Sequence, residues 1–258
     1  MGIVNVTPDS FFPEARTADV DAAIARGRDL FIEGAAIVDV GGESTRPGAT
    51  PVELSVELER TAPVVAGLRG HGRISIDTTK ADVASACVAA GATLINDISG
   101  TLSGLAGELK VGWVAMHAQG NPQTMQLDPH YDDVIAEISA WFVEKAAEAR
   151  SNNVQELWLD PGIGFGKTEE HNWTILRHCD ELAALAHSLG ALFLVGSSRK
   201  GFLGDLGHGP RLAVEDRLAP SLATAVAAME AGADFVRVHD VLATVQAARI
   251  KNETMAVS

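Results

Sequence analysis

The amino-acid sequence predicts an α/β fold, a single (β/α)8 (TIM) barrel spanning residues 1–258. Three observations predict it. Short β-branched runs alternate with longer Ala-rich amphipathic stretches, the pattern of strands and helices in a parallel sheet. The runs recur roughly every 20–45 residues. Eight such units in 258 residues match the size of a closed barrel. An open doubly wound sheet is the competing architecture. No G-x-G-x-x-G follows the first run, however, and "GIGFG" (162–166) has a different glycine spacing and follows the sixth.

The elements follow in order. "GIVNVT" (2–7) reads as the first strand and halts at Asn5 and "TPDS"; "DVDAAIARGRDLFIEG" is the helix behind it. "AAIVDVG" (35–41) runs into "GGESTRPG", and "ELSVELERTAPVVAGLRG" is the next helix. "RISIDT" ends at Asp77 and "TLINDI" at Asn96-Asp97. The glycine-rich "SGTLSGLAGELKVG" (99–112) leaves room only for a stunted fourth helix. "GWVAMH" leads into "MHAQG" and the helix "DDVIAEISAWFVEKAAEAR". "LWLDPG" passes into "DPGIGFG", and "LFLVGS" into "GSSRK". "LGDLGHGPRLAVED" (203–216) is a loop before the seventh helix, and "FVRVHD" ends the series.

The chain is 47% hydrophobic and 21% charged, enough apolar content for a sizeable core. A net charge of −14 argues against nucleic acid, whose phosphates are bound by basic surfaces. Cys87 and Cys179 are far apart in helical contexts and read as buried thiols in a reducing compartment. No apolar run reaches the ~18 residues of a membrane helix, so no membrane partner is expected. The N-terminus lacks a basic signal region, and a cytoplasmic location is expected. The chain opens directly on a strand, as expected of one lacking a short leading segment.

In a barrel, every polar strand end listed above lies on the C-terminal face, where such enzymes place their sites. Taken singly, each residue has a plainer reading. Asp77 is a candidate N-cap, Asn96 a turn residue, Arg199-Lys200 a solvated helix start and His239 a core histidine. Together they suggest chemistry. Asp77, Asn96 and Asp160 match the adjacent N–H donors of a planar heterocycle with a guanidine-like edge. Lys200 can donate to its opposite edge. Arg237 and His239, two apart on one strand, point inward together, and with Asn5 they form an anion pocket suited to phosphate. No Cys/His cluster for zinc is present. A Mg2+ riding on ligand phosphate needs only one or two protein oxygens.

The motifs "NVTPDSF", "GGESTRPGA", "SIDT", "NDISG", "MHAQGNPQTMQ", "LDPGIGFGKT", "GSSRKGFLG" and "VRVHDV", in this order, resemble the dihydropteroate synthases over roughly residues 2–245. The resemblance implies a TIM-barrel transferase of folate biosynthesis, usually a homodimer and a sulfonamide target. Such an enzyme joins 4-aminobenzoate to 6-hydroxymethyl-dihydropterin diphosphate in an SN1-like reaction that releases diphosphate. It implies that Asp77, Asn96, Asp160 and Lys200 hold the pterin, with Met116 near the ring; Asp77, Asp160 and Lys200 are also the implied catalytic residues. Asn5, Arg237 and His239 would take the diphosphate, with Mg2+ helping at Asn5. Phe11, Thr45, Arg46, Pro47, Phe165 and Gly201 would meet the aminobenzoate. Two departures stand out. The first loop reads "SFFPEART", with Pro13 and Glu14-Ala15 where the family carries an acid and two glycines. Gly201 offers only a backbone N–H where the family often has Ser or Arg. The alternatives are a sulfonamide-insensitive synthase, an inactive pterin-binding paralogue, and a methyltetrahydrofolate methyltransferase, which needs no diphosphate pocket.

Overall fold

The computed structural model describes residues 1–7, 19–44, 49–120, 124–207 and 209–255. Eight strands run parallel in sequence order: β1 Gly2–Asn5, β2 Ile37–Gly41, β3 Arg73–Asp77, β4 Leu94–Asp97, β5 Gly112–Met116, β6 Glu156–Asp160, β7 Leu192–Val195 and β8 Phe235–Val236. The sheet closes on itself. Gly2 bridges Val238, Ile3 N–H donates to the Val238 carbonyl at 3.1 Å, and Val238 N–H to the Met1 carbonyl at 2.9 Å. Closure excludes the open doubly wound sheet.

Among the described residues, the helices are α1 Val20–Ile32, α2 Leu54–Leu68, α3 Ala81–Ala90, α4 Ser103–Leu109, α5 Val134–Ser151, α6 Glu169–Arg177, α7 Cys179–Ser188, α8 Leu218–Glu230 and α9 Val241–Met255. Local chemistry starts several of them. The Asp19 carboxylate accepts from Asp21 N–H at α1, and Asp133 accepts from the Ile135 and Ala136 amides at α5. Thr168 and His171 form a reciprocal cap at α6. As expected, α4 is short, with seven residues. The stretch after β6 divides at His178 into two helices, so the helix beyond residues 203–216 is the eighth rather than the seventh; that segment is a loop only in its middle, with 3-10 turns at Gly201–Gly204 and Glu215–Arg217.

Two apolar layers hold the barrel. The larger lies between strands and helices and includes Val38, Val40, Ile76, Ile95, Trp113, Leu159 and Phe193. The second fills the barrel itself: Met1, Ile37, Leu94, Val114, Trp158 and Leu194. Side chains alternate along a strand. Residues two positions beyond this layer therefore face inward at the mouth, and Leu94 is followed by Asn96, Val114 by Met116 and Trp158 by Asp160. Below, Arg73 and Glu156 form a two-pronged ion pair at 3.1 and 2.6 Å, with the Arg73 guanidinium 5.6 Å from the Trp158 ring.

Trp158 is thus the floor of the site. It has no solvent exposure, and its ring lies 4.4 Å from that of Phe235. Trp158→Ala should lower unfolding free energy by ~3–5 kcal/mol, the usual cost of truncating a buried large aromatic. Urea denaturation followed by circular dichroism measures it, and a loss below ~1 kcal/mol would mean the floor collapses without a void.

Candidate active site

An inner chamber of about 40 Å³ opens into a cavity of about 520 Å³ on the C-terminal face. The chamber is lined by Asp77, Asn96, Met116, Asp160, Phe165, Lys200, Arg237 and His239, from six different strand ends and their loops. The larger cavity adds Asn5 and Gly201 and shares Asp77, Phe165, Lys200, Arg237 and His239. Residues separated by most of the chain therefore meet. Phe11, Thr45, Arg46 and Pro47, together with Pro13 and Glu14, lie outside the described residues.

A buried ion-pair network organises the chamber. Arg237 Nε donates to Asp39 Oδ2 at 2.7 Å, and its Nη2 donates to Asp77 Oδ2 at 2.7 Å. Asn96 Nδ2 donates to the same Asp39 oxygen at 2.9 Å. Asp77 is therefore no helix cap; Lys80 occupies the N-cap position of α3. Asn96 is no turn residue either, for it is buried in β4 and faces the chamber. Its neighbour Asp97 faces the other way, where its carboxylate accepts from the Ser99, Thr101 and Leu102 amides and the Trp113 indole.

On the opposite wall, Asp160 Oδ1 accepts from Gly162 N–H at 2.7 Å. Gly162 sits at φ +67°, and a Cβ there would come within 1.7 Å of the His117 carbonyl oxygen. Only glycine fits this bend. The loop beyond it brings Phe165 over Lys200, whose ammonium lies 3.8 Å from the ring centroid. His239 Nδ1 lies 3.1 Å from Ser198 Oγ.

Burial sets the electrostatics. It pushes the Asp77 carboxyl up to about 7 against the pull of Arg237, and it raises Asp160 against the Gly162 amide and Lys200. Burial, then the charge of Arg237, lowers Lys200 to about 7. Burial would also lower Arg237, but Asp39 and Asp77 hold it above its ordinary value. A chamber with charges so little solvated favours a ligand that supplies hydrogen-bonding partners.

Several residues here escape sequence reasoning. Asp39, fully buried, carried one signal: an acid in the middle of the apolar run "AAIVDVG". Arg199 is no solvated helix start. It is buried at φ +57° and binds Asp240 through Nε and Nη2 at 2.8 and 2.7 Å, and the Val214 and Glu215 carbonyls through Nη1. Lys80 Nζ joins Glu43 and the buried Glu57, each at 2.5 Å, and so ties the start of the loop after β2 to α2. Lys167 is almost wholly buried. Its Nζ lies 3.0 Å from His117 Nδ1 and donates to the His117 and Phe165 carbonyls.

A closed barrel with facing carboxylates and cations at its mouth defines a heterocycle-binding barrel enzyme. A family model described as "Pterin binding enzyme" matches residues 1–239, and the chain belongs to this family. Among its relatives, a protein of Synechocystis sp. named "Dihydropteroate synthase" is 43% identical, over 97% of this chain and 88% of its own. A Yersinia pestis dihydropteroate synthase solved with a sulfonamide drug superposes with a TM-score of 0.91 at 38% identity, covering 100% of this chain and 93% of that one. A Xanthomonas albilineans dihydropteroate synthase solved with 4-aminobenzoic acid gives 0.89 at 41%, covering 100% and 93%. Among the described residues, no helix is long and apolar enough to cross a membrane.

Lys167 makes stability pH-dependent. Burial lowers its pKa from 10.5 to about 7. A depressed pKa means the neutral amine fits the fold better, so its contribution is present above 10.5 and lost as pH falls through about 7. Against a Lys167→Met variant, the unaltered chain should therefore gain relative stability from pH 7 to 10, by at most ~1.4 kcal/mol per pH unit for one proton. Denaturant unfolding at several pH values reads this difference; a flat difference would place Lys167 in a solvated setting.

Proposed function

We infer that this chain acts as a dihydropteroate synthase: it condenses 6-hydroxymethyl-7,8-dihydropterin diphosphate with 4-aminobenzoate to give 7,8-dihydropteroate and diphosphate. One observation carries the reading. Asp77, Asn96, Asp160 and Lys200 converge on a single inner chamber, and Arg237 and His239 line both that chamber and the larger cavity that also holds Asn5. A pterin ring, with adjacent N–H donors on one edge and acceptors on the other, complements the first group. A diphosphate complements the second.

The chain's residues then have separable tasks. Asp77 and Asp160 accept from the ring's N–H groups, and Lys200 donates to the opposite edge. The methylene carbon–oxygen bond breaks with its electron pair passing to diphosphate. Positive charge spreads from the methylene into the ring. The two carboxylates, fixed by Arg237 and by the Gly162 amide, stabilise that charge more than the neutral ground state. The arylamine lone pair then forms the carbon–nitrogen bond, and the amine loses a proton. Met116 packs near the ring, and Phe165 and Gly201 border the arylamine.

Asn5 lines the larger cavity beside Asp77. Among the described residues no three His, Cys, Asp or Glu side chains group as a metal cage. A Mg2+ held mainly by the diphosphate and by the Asn5 amide oxygen fits this donor set, because magnesium in such sites keeps few protein ligands. When bound, it would offset charge on the departing diphosphate. We also propose a homodimer: Leu218 on α8 and Leu242 and Ile250 on the adjoining α9 leave apolar surface open. Light scattering should give twice the 27.0 kDa chain mass.

The discriminating experiment measures diphosphate release. It should require both the pterin diphosphate and 4-aminobenzoate, whereas a binding paralogue takes up pterin without turnover and a methyltransferase ignores both. Asp160→Asn should weaken pterin binding by about tenfold or more, the loss of a charge-assisted hydrogen bond. Arg237→Ala should weaken binding of the pterin alcohol, because it also frees Asp77, and should weaken binding of the pterin diphosphate further; calorimetry of both ligands reads the excess loss that reports the phosphate contact. Full turnover in both variants would refute these roles.

A further inference from the structure

The outer end of the larger cavity holds two arginines, Arg211 and Arg217, that the reaction described above does not use. They belong to the segment joining β7 to α8, and that segment is fastened immediately after Arg211. Leu212 N–H donates to the Gly204 carbonyl at 2.7 Å. Arg217 donates through Nε and Nη2 to the Leu212 carbonyl at 3.2 and 3.0 Å, and through Nη1 to the Arg199 carbonyl at 3.2 Å. Arg211 Nη2 in turn donates to the Gly201 carbonyl and to Glu169 Oε1, each at 2.8 Å. The guanidinium therefore lies beside Gly201: a Cβ built there would be 3.9 Å from Arg211 Nη2.

The substrate's shape connects these facts. In 4-aminobenzoate the amine and the carboxylate sit at opposite ends of a flat ring. The amine must face the inner chamber, where the pterin methylene lies. The carboxylate then points outward to the rim. Gly201 has no side chain to meet it, but Arg211 borders the same cavity. The existing partner of Arg211 is weak: the Arg211 and Glu169 side chains are 53% and 46% exposed, and such a surface pair contributes little. An incoming carboxylate can replace it and form a two-pronged guanidinium pair. Arg217, held by three carbonyl bonds, positions the loop and adds a second positive charge.

We propose that Arg211 recognises the carboxylate of the arylamine substrate, in the place that Gly201 leaves without a side chain, and so sets the preference for aminobenzoates over neutral arylamines. This rests on the synthase reading. The test compares 4-aminobenzoate with 4-aminobenzamide in the diphosphate-release assay. Arg211→Met should raise KM for 4-aminobenzoate about tenfold, as expected when one charge-assisted contact is lost, while KM for the pterin diphosphate moves less than about twofold. The kcat/KM ratio of acid to amide should fall about tenfold. Arg211→Lys should recover part of that ratio, and Glu169→Gln, by releasing Arg211, should raise it. A ratio unchanged in Arg211→Met, or a parallel rise in both KM values, overturns the assignment to Arg211 and leaves the synthase reading standing. No diphosphate release from the unaltered chain with either arylamine would refute the synthase reading, and this inference with it.

Discussion

Arg237 holds the mouth of the barrel together. Its guanidinium reaches from the end of β8 across the interior to Asp39 on β2 and Asp77 on β3. The bonded residues lie 198 and 160 positions apart in the chain. Charges are tolerated in such a place only when paired and hydrogen-bonded, because the layer beneath them is Leu94, Val114, Trp158 and Leu194. The pairing is unequal, however. Burial still pushes Asp77 up to about 7 and Lys200 down to about 7. The mouth is thus fixed in shape but short of solvation, a condition that a polar heterocycle relieves and water in a small chamber relieves poorly. Fold and site depend on one another here: the sheet must close for Arg237 to meet its acids, and the acids give an inward-facing arginine its place.

The loop after β6 solves a related problem by packing rather than by charge. A carboxylate that must aim at a ligand needs one oxygen fixed, and Gly162 N–H fixes Asp160 Oδ1. That amide reaches the carboxylate because the chain turns through a left-handed conformation with the His117 carbonyl pressed against it, a space no side chain can share. Lys167 then closes the loop from below with bonds to His117 and Phe165. The glycines of "DPGIGFGKT" are therefore requirements of geometry and not of looseness. They place Phe165 on Lys200, and Lys200 beside the acids.

Much of this was legible in the sequence, for identifiable reasons. Parallel strands buried on both faces read as apolar runs, so all eight strands stood out, and the polar residues that ended them mapped to one rim. Asp77, Asn96, Asp160, Lys200, Arg237 and His239 could be grouped on that basis. The unread parts depended on contacts across the fold. Asp39 sits one inward position below the strand end, where a rule built on strand ends does not look. Asn96 and Asp97 are adjacent in sequence yet face opposite sides of the sheet, and only the direction of each side chain separates a site residue from a structural one. Arg199 looked like a surface charge because Asp240, its partner, lies 41 positions away. Arg211 and Arg217 come from a segment without periodicity, and nothing before the fold connects them with Gly201.

The charge balance bears on the same point. The chain carries a net charge of −14, yet under the proposed reading both substrates are anions. At physiological ionic strength exposed charges are screened beyond ~8 Å, so the overall field weighs less than the local one. Locally the sign reverses. Lys200, Arg211, Arg217 and Arg237 all border the larger cavity, and its low-dielectric walls concentrate their field. Acids enter that cavity mainly where a cation already answers them, as Asp77 is met by Arg237 and Glu169 by Arg211. An anionic substrate therefore moves from a weakly repelling surface into a basic cleft, and the acids it meets at the bottom are those that its own N–H groups, and the positive charge of the reaction, can satisfy.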